Sequence, residues 1–215
     1  MIKAVVFDVD GVLIDSNEII VEAYRKTAGK FRLRIPSEQE IIDLMGRPLE
    51  EIVRTLWVNT NVELYIEEFR KMFMSENLVI PEIEGAVDAV SEIRESGFRI
   101  GAVSGKITFF IEKHLEEAGF DINWFEAIVS FEMTKKHKPD AEPLLHAISK
   151  LDVKPEEAVY IGDSMSDYEC ARNAKVEYIA VLTGSLRRKG LENLGVKNLI
   201  NSVVELPNLL RKTLT

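Results

Sequence analysis

Residues 1–13 read Met1-Ile2-Lys3-Ala4-Val5-Val6-Phe7-Asp8-Val9-Asp10-Gly11-Val12-Leu13, a short run of branched and aromatic side chains that breaks into two carboxylates and a glycine. The run Ile2–Asp8 has the length and composition of a strand buried on both faces, the kind a parallel sheet uses. Side chains alternate along a strand, so Asp8 and Asp10 point the same way, beyond the sheet edge. Ligands of parallel sheets gather outside the carboxyl ends of the strands, which is where these two acids fall. Two carboxylates this close repel each other unless a cation or a proton intervenes.

Outward from this run the pattern repeats. Phe98–Ser104, Ala127–Ser130, Ala158–Asp163, Tyr178–Thr183 and Asn198–Ile200 are β-branched runs that end at polar or glycine-bearing turns. Helical segments lie between them, at Ala86–Glu95, Ile107–Ala118, Ala141–Lys150, Met165–Asn173 and about Val203–Lys212. Strand alternating with helix predicts βαβ units and a helix-flanked parallel sheet, an α/β fold. The stretch from Ser16 to Ile80 breaks the rhythm and predicts four helices in succession, an inserted module. Its last helix, from about Val62 to Glu76, sets Val62, Tyr65, Ile66, Phe69, Met72 and Phe73 at three- and four-residue steps, one apolar face for packing within the module.

Each later strand ends in its own polar cluster. Ser104-Gly105-Lys106 offers a hydroxyl and backbone N–H groups at a helix start, which suits a phosphate oxygen. Lys138-Pro139 follows the third strand and supplies a cation. Gly162-Asp163-Ser164-Met165-Ser166-Asp167 ends the fourth, where Asp163 joins Asp8 and Asp10 in an oxygen-rich pocket of the kind Mg²⁺ prefers.

These four clusters, in this order and at strand ends, resemble the signature motifs of the haloacid dehalogenase superfamily of aspartate-nucleophile phosphatases. The likeness spans essentially the whole chain and is nearest to the phosphoglycolate phosphatase and β-phosphoglucomutase branch. It implies a Rossmann-like core over residues 1–15 and 81–215 and a helical cap over residues 16–80. It further implies that Asp8 is the nucleophile that forms an aspartyl phosphate, and that Asp10 protonates the leaving oxygen and later deprotonates water. Mg²⁺ would be held by Asp8, Asp163 and the Asp10 backbone carbonyl, with Asp167 behind it acting through water or by orienting Lys138. Ser104, the Gly105 amide, Lys106 and Lys138 would surround the transferred phosphate. The chain departs from the pattern at Gly105, where many relatives carry asparagine, and at Ala141 and Lys175, and none of these is a catalytic carboxylate.

In this branch the cap sets specificity. Arg47 is the one cation in the Leu44–Leu49 loop and is a candidate to bind a second negative charge on the substrate. Mutase relatives carry an arginine where this chain has Leu49, which argues against a phosphosugar mutase. Phosphoglycolate-like hydrolysis of a small phosphorylated metabolite is expected, with inorganic pyrophosphate as an alternative within the family. A phosphate- and metal-responsive binding module without turnover is the alternative outside it, and Asp10 argues against that, since a mere phosphate acceptor needs no acid/base. His114 and His146 read as ordinary helix residues, and His137 as a residue near the pocket rim.

The composition agrees. The chain has 215 residues, 46% hydrophobic and 29% charged, enough for a buried core. A net charge of −9 disfavours nucleic acid and anionic membrane surfaces. Cys170, the single cysteine, excludes an internal disulfide and multi-cysteine zinc sites and reads as a small buried hydrophobe. With acids at positions 8 and 10 interrupting the first apolar run, and no span-length apolar stretch, a cytoplasmic monomer or homodimer is expected.

Overall fold

The computed structural model describes residues 1–75, 79–184, 196 and 198–213. Its centre is β1 (Ala4–Phe7), flanked by β2 (Arg99–Val103) and β4 (Ala158–Gly162), with β3 (Ala127–Val129), β5 (Glu177–Val181) and β6 (Asn198–Ile200) outside them. The sheet is six-stranded in the order β3-β2-β1-β4-β5-β6. Every pairing is parallel, and Val5 stands opposite Ile100 on one side and Val159 on the other. The chain therefore leaves β1 and returns on both sides of it, which makes the gap between β1 and β4 the place where strand order reverses. All four residues of β1 are fully buried, as an apolar run without alternation requires.

Val5 and Phe7 pack on one face beneath α5 (Ala86–Glu95), α6 (Thr108–Glu117) and α9 (Leu206–Thr213). Ala4 and Val6 pack on the other beneath α7 (Glu142–Lys150) and α8 (Met165–Ala174). Removing one such side chain is costly: Phe7→Ala takes away roughly 3–5 kcal/mol. The sequence expectations differ from these elements by a residue or two at the ends. The last helix begins later, because Val203–Glu205 is a 3₁₀ turn ahead of it. Cys170 is fully buried.

Between β1 and α5 lie α1 (Asn17–Lys30), α2 (Glu38–Ile42), α3 (Leu49–Leu56) and α4 (Val62–Ser75), with a core of their own built on Val21, Tyr24, Ile41, Val53, Trp57 and Tyr65. The buried Tyr65 hydroxyl donates to the Tyr24 carbonyl at 2.9 Å, and Trp57 Nε1 donates to the Arg34 carbonyl at 2.9 Å. On α4 the anticipated stripe holds for Val62, Tyr65, Ile66 and Phe69, all buried or half-buried; the Met72 and Phe73 side chains and Glu76 lie outside the described residues. The chain enters and leaves this module side by side: Asp15 N donates to Pro81 O and Ile83 N to Leu13 O, each at 2.9 Å. No helix among the described residues is long and apolar enough to cross a membrane.

Candidate active site

The carboxyl ends of β1, β2 and β4 open into a cavity of about 260 Å³ between the sheet and the helical module. Its floor carries Asp8, Asp10, Ser104, Lys138 and Asp163, the residues anticipated from the strand-end motifs. Such placement, at the point where strand order reverses, is where open parallel sheets bind ligands.

Backbone proximity fixes the acids. Gly11 has φ +72°, and a Cβ there would stand 2.6 Å from Asp163 Oδ2. At Gly184 a Cβ would fall 1.6 Å from the same oxygen, so two glycines enclose the Asp163 carboxylate. The Thr183 hydroxyl donates to the Gly11 carbonyl at 2.6 Å and ties these turns together. On the far side, Gly162 lets Asp167 approach, since a Cβ there would meet Asp167 Cβ at 2.4 Å.

Lys138 is buried, with its ammonium 2.9 Å from Asp8 Oδ1 and 2.8 Å from Asp167 Oδ1. Asp167 Oδ1 also accepts from the Tyr160 hydroxyl at 2.8 Å. Its other oxygen accepts from the Ser164 hydroxyl at 2.5 Å and from the Ser164 amide at 3.1 Å, while Ser164 Oγ caps α8. Burial favours the neutral form of Asp167, but Lys138 and these hydrogen bonds outweigh it and hold its carboxyl below the ordinary value. Lys138 is likewise held charged, because Asp167 and Asp8 overcome a burial cost that would lower its pKa. Asp8 fares differently. Burial and the neighbouring charges of Asp167, Asp163 and Asp10 push it well above the usual carboxylate range, and Lys138 offsets them only in part.

That imbalance is a test for a cation. Asp8, Asp163 and Asp167 each offer an oxygen within 4.8 Å of one another, all buried. An all-carboxylate set with a net excess of negative charge fits a hard divalent ion.

Asp10 faces a separate network. Its Oδ1 accepts from Lys106 Nζ at 2.5 Å and from the Ser16 hydroxyl. Burial would raise its pKa, but Lys106 and these two hydrogen bonds prevail and lower it. Lys106 Nζ lies 3.3 Å from His114 Nδ1, and burial together with that ammonium brings His114 down to about 4. The Lys106 amide donates to Ser104 Oγ at 3.2 Å, holding the start of the loop toward the floor. Gly105 lines the same wall, and a Cβ there would meet nothing within 4 Å.

Some placements differ from expectation. His114, read as an ordinary helix residue, backs Lys106. Arg47 does line the cavity, but its guanidinium is engaged at 2.9 Å by Glu51 in the first turn of the helix that follows it. His137 stacks on Phe131 with ring centroids 3.9 Å apart. Ser16, Tyr160 and His114 were not anticipated as site residues. Tyr160 alone carried a signal, since it lies two residues before Gly162 on β4 with a polar tip facing the Lys138 side.

Known proteins agree with this geometry. The model of the haloacid dehalogenase-like hydrolases matches residues 5–181. A Clostridium perfringens protein provisionally named pyrophosphatase PpaX is 35% identical over 92% of this chain and 91% of its own length. Pyrophosphatase PpaX of Listeria welshimeri is 31% identical over 81% and 80%. Among solved structures, a Bacteroides fragilis protein provisionally described as a haloacid dehalogenase-like hydrolase superposes with a TM-score of 0.89 at 28% identity, covering 96% of this chain and all 100% of that one. The chain belongs to the haloacid dehalogenase-like hydrolases.

Proposed function

We propose that this chain is a Mg²⁺-dependent hydrolase of small phosphate monoesters that works through a phosphoenzyme on Asp8, with residues 16–80 as a cap over residues 1–15 and 81–215. The observation that carries the reading is the division of labour between two neighbouring carboxylates. Asp8 lies against Lys138 and the acidic cluster, while Asp10 turns to Lys106 and Ser16. Two carboxylates in different environments take different roles.

An Asp8 oxygen attacks phosphorus, and the bond from phosphorus to the ester oxygen breaks. As the entering phosphate draws Lys106 away from it, Asp10 takes up a proton from solvent and gives it to that oxygen, and the alcohol leaves. In the second half, Asp10, now a carboxylate held by Lys106 and Ser16, takes a proton from water as that water attacks phosphorus. The acyl phosphate bond breaks, inorganic phosphate leaves, and Asp8 is restored. Ser104, the Gly105 amide and Lys138 bind the phosphoryl oxygens, with Lys106 beside them. Asp8, Asp163 and the Asp10 carbonyl would hold Mg²⁺, which when bound would offset the charge of nucleophile and phosphate. Asp167, whose oxygens are taken by Lys138, Tyr160 and Ser164, orients Lys138.

Inorganic pyrophosphate is a second reading, favoured by the names of the PpaX relatives. Phosphate release from a panel of small monoesters and pyrophosphate, with Mg²⁺ and with excess EDTA, tests both. Turnover on at least one compound should need Mg²⁺ and fall by several orders of magnitude in Asp8→Asn. More than about a tenth of the activity surviving in folded Asp8→Asn, or full activity in EDTA, refutes the scheme.

A further inference from the structure

The floor of the cavity is polar, and its roof is largely apolar, with Asn17, Arg47, Glu50 and Arg70 among the apolar side chains. The helical module presents Ile20, Tyr24, Leu49, Ile52, Ile66 and Phe69 to the space above Asp8 and Asp10. Tyr24 and Phe69 meet there with ring centroids 4.7 Å apart, and α6 adds the buried Phe110 from the core side. Tyr24 and Ile52 belong to the module's own core, but Ile20, Leu49, Ile66 and Phe69 are only half-buried. The half-buried ones form a wall that water alone would otherwise wet.

The cations near this space are already engaged or at its edge. Lys138 pairs with Asp8 and Asp167, Lys106 with Asp10, and Arg47 with Glu51. Arg70, also lining the cavity, is exposed on α4. Against Ile66 and Phe69 a carboxylate or second phosphate on the leaving group would be stripped of water with no partner there, which is expensive, and Glu50 in the same lining adds negative charge against it. At about 260 Å³ the space is also far larger than the few waters a single phosphate would displace. Cavities lined by apolar side chains around a few convergent polar groups are the usual form of small-molecule sites.

We infer that the leaving group of the substrate is an uncharged alcohol with a compact apolar body, alkyl or aryl, seated against Ile66 and Phe69. The inference rests on the phosphatase reading above and names its substrate class. It sets this chain's selectivity apart from hydrolysis of pyrophosphate or a carboxylate-bearing ester.

The test is kcat/KM along methyl, ethyl, propyl and butyl phosphate, whose leaving groups differ little in acidity, with phosphoglycolate and pyrophosphate alongside. The value should rise about two- to fourfold per methylene, as burial of each predicts. Butyl phosphate should exceed both charged compounds by at least tenfold. Phe69→Ala and the β-branched but shorter and more polar Ile66→Thr should each cut the butyl-to-methyl ratio several-fold; partial misfolding lowers both rates and leaves the ratio alone. A flat series, an unchanged ratio in both variants, or a preference for either charged compound overturns the inference and leaves the phosphatase scheme standing. Absence of Mg²⁺- and Asp8-dependent turnover on every compound overturns both.

Discussion

Lys138 sits between two buried carboxylates, and each distance is below 3 Å. Removing it strands Asp8 and Asp167 together. Loss of one partner of a buried ion pair costs about 3–5 kcal/mol, most of it the uncompensated charge left behind. Lys138→Met should lose that much by urea unfolding without metal, and adding Asp8→Asn to it should restore part of the loss. If the double variant is no more stable than the single one, the stranded charge is not the cause. His114 gives a second prediction at this scale. Its folded value is about 4 against an ordinary 6.5, so the neutral ring stabilises the fold fully above 6.5, and that contribution is lost as pH falls toward 4. The drop is about 3 kcal/mol for a fully expressed shift. His114→Gln should show a shallower decline over that interval, and an equal slope in both proteins refutes it. Asp8, Ser104 and Asp163 were legible because each directly follows a strand, where local pattern alone fixes position, with Asp10 just past Asp8, whereas Lys138 lies well beyond β3 and was legible from the order of the motifs. His114 and Ser16 were not, because their partners Lys106 and Asp10 are reached only through tertiary packing.

Among the elements, strands were the easier to read, since each is a compact apolar run with a polar stop. Helix ends were less sharp: the 3₁₀ turn at Val203–Glu205 has the same apolar spacing as the helix it precedes. The loop between α2 and α3 showed a glycine and a cation but not their use. Gly46 has φ +85°, and a Cβ there would lie 2.7 Å from Ser164 Oγ and 3.3 Å from Ser166 Cβ. Glycine lets the module rest on the start of α8. Gly46→Val should therefore hold the module off the core and lower kcat/KM at least tenfold for every substrate. Unchanged rates would mean the contact has no part in closure.

At the scale of the molecule, the parallel sheet, its helical flanks and the interrupting helices all followed from the alternation of runs along the chain. The apolar chamber did not, because Ile20, Leu49, Ile66 and Phe69 come from three different helices and look in sequence like ordinary interior residues. The two passages into the module lie side by side, bonded from Asp15 to Pro81 and from Leu13 to Ile83. The sheet is joined by the pairing of β1 with β2 and with β4, outside the insertion, and its continuity owes nothing to what hangs from these two segments. Reaction and selectivity can in consequence be inherited separately: drift in the overhanging helices retunes which molecule is accepted, while the acids below remain untouched by the change.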